Sequence, residues 1–128
     1  EDAASAGFSD ADTPWKRARD GQRAMAVDVQ EADPASVLRY TRDLLAWRRS
    51  LPMLRIAREV TLQDLPGNVI GYRREYGDTH LNCYVNFGLG SEKITLPQAG
   101  LKALFATGTA TVEGDRLTLG GLGAVALA

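Results

Sequence analysis

From residue 59 onward, apolar residues recur at every second position, and that period calls for extended chain rather than helix. Val60 and Leu62 alternate with Glu59, Thr61 and Gln63. Pro66-Gly67-Asn68 reads as a turn, and strands are expected over Val69 to Tyr76 and Thr79 to Phe87. Gly77-Asp78 between those two strands suits a tight hairpin. Further strands are expected near Lys93–Leu96, Leu101–Ala106 and Thr109–Glu113, then, after a Gly114-Asp115 turn, Arg116–Leu119 and Gly123–Leu127. About seven or eight short strands with regular turn signals imply an antiparallel sandwich. On the third strand, alternation puts Leu81, Cys83, Val85 and Phe87 on one face, the expected core face. His80, Asn82, Tyr84 and Asn86 fall on the other, with His80, Asn82 and Tyr84 expected outward or in a polar contact.

The first half of the chain has a different period. Residues 33–51 read as one strong helix. Asp33 suits the N-cap, because its carboxylate can accept free N–H groups of the first turn, and Pro34 suits the first helical position. Val37, Leu38, Leu44 and Leu45 recur at helical spacing, with Tyr40 and Trp47 beside them. Arg48 and Arg49 sit at the dipole-favoured end, and Pro52 stops the helix by restricting Leu51. So apolar a stripe is expected to pack on protein outside this chain. Residues 1–32 show no sustained period and read as a long irregular loop, of the kind laid over a scaffold near a site.

Composition bounds the chemistry. At 128 residues, 45% hydrophobic and 24% charged, the chain suits folded protein rather than disorder. Lys and Arg number 15 against 16 Asp and Glu, a net charge of -1, so the basic surplus of a phosphate-reading domain is absent and no nucleic-acid partner is expected. No apolar run is long enough to cross a bilayer, so no membrane partner is expected. One cysteine, Cys83, excludes an internal disulfide framework and is compatible with cytoplasm or periplasm. One histidine, His80, argues against a metal cluster. His80 and Cys83, three apart on one strand, point to opposite faces and cannot pair as thiolate and imidazole. Asp10, Asp12, Asp20, Asp28, Glu31 and Asp33 read as loop residues and caps rather than a catalytic pair. Gly120-Gly121-Leu122-Gly123 lacks the Lys-Ser/Thr and following helix of a phosphate cradle. Trp15, in a loop, is the more open of two tryptophans for ligand contact, while Trp47 on the helix reads as core. No catalytic residue, metal or cofactor is expected from these residues.

The order of short motifs resembles one family. Ala6-Gly7-Phe8-Ser9 followed by Thr13-Pro14-Trp15 looks like the AGF(S/T)…PW loop of α-glucosidases in glycoside hydrolase family 13. Val27 to Leu38, VDVQEADPASVL, resembles their NV..Q..DP.SLL segment, and Leu44 to Leu54 resembles the LI.LR…PAL that follows. The strand at Asn68–Tyr76, Asn86-Phe87 and the ending from Leu119 to Ala124 resemble the family's C-terminal sandwich. The likeness covers nearly the whole chain. The usual Asn-Tyr pair before the Gln is missing, and no position matches the family's nucleophile Asp, acid Glu or third Asp.

The resemblance implies an α+β segment: the last loop and helix of a (β/α)8 barrel, then an all-β antiparallel sandwich. Residues 1–52 would end the barrel, with residues 1–32 as the loop after strand eight and residues 33–51 as helix eight. Residues 53–128 would be the C-terminal domain. The implied function is the C-terminal portion of a retaining α-glucosidase that hydrolyses or transfers terminal α-glucosyl units. This segment would be structural and line part of the substrate pocket, with the N-terminal barrel portion of the same enzyme and an α-glucoside as partners. The chain opens at Glu1 rather than at a methionine, as a processed product or a piece of something longer would. The residues alone leave a second reading: a stand-alone β-sandwich that binds glycan or protein without catalysis.

Overall fold

The computed structural model describes Ser9, Trp15 and residues 19–128. The chain divides into two compact units, Glu1–Arg49 and Ser50–Ala128.

The first unit is helical where described. Helix α1 is Asp20–Arg23, α2 is Val27–Ala32, and α3 is Val37–Ser50, which runs one residue past the unit. The expectation of an irregular stretch over residues 1–32 is therefore corrected over its described end. Helices of four and six residues are too short to display a 3.6-residue period, which is why the pattern hid them. The expected helix start also moves. Asp33 Oδ1 accepts from Ala35 N at 2.9 Å, closing a local turn that holds Pro34 outside the helix. Ser36 is the cap instead: its Oγ accepts from Arg39 N at 3.2 Å and donates to Gln30 O at 2.5 Å. Gln30 joins α2 to α3, accepting from Leu38 N through Oε1 and donating to Met25 O through Nε2. No residue of α3 is buried, and Val37 is 75% exposed. Trp47, expected in the core, is half-buried.

The second unit opens with a one-turn helix, α4 (Met53–Ile56), followed by eight strands. These are β1 Arg58–Thr61, β2 Val69–Tyr76, β3 Thr79–Asn86, β4 Glu92–Thr95, β5 Ala103–Thr107, β6 Ala110–Glu113, β7 Arg116–Leu119 and β8 Ala124–Leu127. They form two antiparallel sheets, a five-stranded one in the order β1-β2-β3-β8-β5 and a three-stranded one in the order β4-β7-β6. Two hairpins share one device. Tyr76 pairs with Thr79 across Gly77-Asp78, and Glu113 pairs with Arg116 across Gly114-Asp115. Gly77 (φ 56°) and Gly114 (φ 60°) hold the first central position, where a left-handed backbone matches strand twist and glycine adopts it freely.

Between the sheets lies the core. Tyr84, Val125 and Leu127 of the larger sheet meet Ile94, Leu117 and Leu119 of the smaller, and Leu62 and Leu65 of the β1–β2 connection pack against them. The expected facing of β3 is corrected here. Tyr84 is buried in this core (1% exposed), whereas Phe87 lies just past the strand and is 63% exposed. Leu81 and Cys83 are buried too, as are Asn82 and Asn86. Strand β3 is central and covered on both faces, so alternation of polarity does not report which face is the core. On the Cys83 side, α4 approaches the sheet: Arg74, beside Leu81 across the ladder, donates to Leu54 O at 3.1 Å. Burial pushes the Cys83 thiol up from its ordinary value.

An asparagine inside the sandwich needs partners, and Asn86 has them. Its Nδ2 donates to Gly90 O at 2.8 Å and to Leu119 O and Gly120 O at 3.1 Å each. Its Oδ1 accepts from Gly88 N at 2.8 Å. One side chain thus ties the end of β3 to the β3–β4 connection and to the end of β7.

Two outcomes follow. Asn86→Ala strands buried carbonyls and should lower the unfolding free energy by about 2–4 kcal/mol in denaturant titration. An unchanged midpoint would remove Asn86 as the tie. Cys83 should resist a thiol reagent at pH 8 in the folded chain and react once denaturant is added, because the nucleophile is an accessible thiolate. Fast labelling of the folded chain would contradict its placement.

Candidate functional site

Several polar side chains of the second unit line a cleft of about 330 Å³. Arg73 of β2 and Asn82 of β3 stand side by side in the ladder and line it, with Asp78 of the hairpin turn, His80, Gln98 and Leu101. Arg73 is held by Glu75, two residues along the same strand, with Nε at 2.7 Å and a terminal nitrogen at 2.6 Å from Oε1. Asn82 is buried, and its Oδ1 has no hydrogen-bond partner, an acceptor taken out of water with nothing to receive. The cleft offers hydrogen bonds of both senses. It carries one acidic side chain, Asp78, whereas retaining glycoside cleavage uses two carboxyl groups on opposite sides of the bond.

The remaining residues singled out by sequence are scattered. His80 is exposed and Cys83 buried on β3, as strand geometry requires for a spacing of three. The Cys83 thiol lies against Tyr72, whose phenol is pushed up to about 12, first by burial and then by that thiol. Neither group is poised to ionise near neutral pH. Asp10 and Asp12 lie outside the described residues. Glu31 pairs with Arg42 at 2.5 Å, and Asp33 is used in its turn. Among the described residues, no three His, Cys, Asp or Glu side chains gather as a metal site. Gly120 to Gly123 form the turn between β7 and β8. Trp15 is 95% exposed. Sequence reasoning passed over the cleft because its residues come from two strands and two connections. The available signal was Asn82, an amide set between Leu81 and Cys83.

No family model matches the chain. Over 98 residues, 77% of its length, it is 36% identical to a probable α-glucosidase of Rhizobium meliloti (strain 1021), of which it spans 17%. The solved structure of an α-glucosyl transfer enzyme, XgtA, superposes on 89% of the chain with a TM-score of 0.76 and 29% identity, using 22% of that enzyme. The trehalulose synthase MutB of Pseudomonas mesoacidophila MX-45 matches 99% of the chain with a TM-score of 0.80, using 24% of that protein; at 21% identity it speaks for the fold alone. The helices and paired sheets are thus those of a known region, and the chain is homologous to the C-terminal region of α-glucosidases and α-glucosyl-transferring enzymes of glycoside hydrolase family 13, spanning about a fifth of their length.

Proposed function

We propose that this chain serves as the C-terminal portion of a retaining enzyme that hydrolyses or transfers terminal α-glucosyl units. The observation that carries this reading is the similarity to the probable α-glucosidase and to XgtA, two relatives named for α-glucosyl chemistry. In this reading residues 1–52 complete a barrel, with residues 1–32 following its eighth strand and lining part of the substrate pocket. Helix α3, within residues 33–51, is the eighth helix in this reading, and residues 53–128 form the terminal domain. Two features support it. The cleft carries one acidic side chain, Asp78, where the chemistry uses two carboxyl groups, and in this reading nucleophile and acid/base come from the larger part of the enzyme. Helix α3 leaves Val37 and Leu45 exposed, and burying each such side chain is worth roughly 1.5–3 kcal/mol, an incentive for the barrel to cover them.

The test is an assay with p-nitrophenyl α-glucoside. The 128-residue chain alone should give no turnover above buffer, while the same residues joined to the barrel portion should give turnover with retained anomeric configuration. Turnover by the purified chain, free of longer species, would overturn the assignment of the chemistry.

A further inference from the structure

Asn82 and Asn86 lie on the face of β3 that carries Tyr84, and only one of them is satisfied. Asn86 spends its amide on three carbonyls and an N–H. Asn82 is 3% exposed, and no donor of the protein reaches its Oδ1. A buried acceptor without a donor acts against the fold, and an apolar side chain of similar size would carry no such penalty. Of the buried polar side chains among the described residues, Asn82 is the one that lines the cleft. The torsion of a terminal amide is soft, so Oδ1 can turn toward the cleft without moving the strand. A ligand that brings a donor there would relieve the unpaired acceptor.

The rest of the cleft narrows what that ligand is. Arg73, Asp78 and Asn82 come from β2, β3 and the hairpin between them, and they hydrogen-bond in both senses. Pro97, Gln98 and Leu101 come from the connection between β4 and β5. They add a pyrrolidine ring and a buried leucine beside one more amide. Charge selects further. Glu75 already takes the Arg73 guanidinium, at 2.6 Å, so an anion would meet Asp78 with little free cation to offset it. An ammonium would in turn meet Arg73. The ligand that fits is therefore uncharged. At about 330 Å³ the cleft lies at the small end of the roughly 300–1,000 Å³ of small-molecule sites, which suits one ring rather than a chain of them. A pyranose matches on every count, with hydroxyls around its edge that donate and accept and C–H groups on its face for Pro97 and Leu101.

We propose that this cleft binds a neutral polyhydroxylated ring of monosaccharide size, one hydroxyl of which donates to Asn82 Oδ1. The site is built within the second unit and does not depend on where the catalytic carboxyl groups of the proposed enzyme lie.

The test is a titration of the 128-residue chain with methyl α-glucoside, followed in two-dimensional NMR through the amide resonances of Asp78, Asn82 and Gln98. Saturable shifts at these residues are expected at millimolar sugar. Asn82→Leu should lower the affinity at least tenfold and leave the denaturant midpoint unchanged or raised, because it removes an unpaired acceptor and little volume. Gln98→Ala, at an exposed position, should fold as the parent does and bind at least threefold more weakly. Shifts that rise linearly without saturating would overturn the site. So would a lowered midpoint for Asn82→Leu, or a sugar affinity in that variant equal to the parent's. Inorganic phosphate shifting the same resonances at lower concentration would assign an anion site and overturn the proposal as well.

Discussion

An amide buried inside a β-sandwich must be satisfied, and much of the second unit is arranged around meeting that demand. Asn86 sits where β3 leaves the larger sheet, and its side chain reaches carbonyls of the β3–β4 connection and the end of β7. Because β3 and β7 belong to different sheets, this one side chain links the two sheets at that end. Apolar contacts between Tyr84, Leu117 and Leu119 give the larger share of stability, but they are tolerant of small shifts. Hydrogen bonds in a dry interior are not, since each has a narrow range of distance and angle. The core thus supplies the attraction and Asn86 supplies the alignment.

The same contrast separates the two ends of the sandwich. At the Asn86 end every polar group of the side chain is used. Toward the other end, Asn82 is equally buried but its Oδ1 meets no donor, and a cleft opens beside it. Four residues of one strand therefore separate a closed polar site from an incomplete one. The unit is similar to the C-terminal region of proteins named for α-glucosyl chemistry, and its cleft carries one acidic side chain, Asp78.

Strand positions were legible because two cues agreed. Apolar residues recurred at a spacing of two, and Gly77-Asp78 and Gly114-Asp115 fell where two-residue turns need a left-handed first position. The facing of β3 was not legible, because a strand covered on both sides carries apolar residues on both, and its inward asparagines look like solvated ones until their partners are known. In the first unit, Asp33-Pro34 and Ser36 are both good helix beginnings. The choice between them fell to Gln30, which holds Ser36 and Leu38 from the preceding helix, a non-local contact no spacing rule reports. The cleft was invisible for a related reason: Arg73, Asn82 and Gln98 are neighbours only once the sheets are assembled.

The strand order has a consequence for how the unit is made. Strands β1, β2 and β3 form a local meander, each pairing with its neighbour in sequence. Strand β5 has no such neighbour, for it joins the larger sheet through β8 alone. Pairings between strands distant along the chain carry a loop-closure cost and form late. On a ribosome, the meander can form as it emerges, while β5 waits with its edge open until residues 124–127 clear the exit tunnel. The short strand β8 is therefore the keystone of assembly in time as well as in space, and the interval before it arrives is when β5 is most exposed to pairing with the wrong chain.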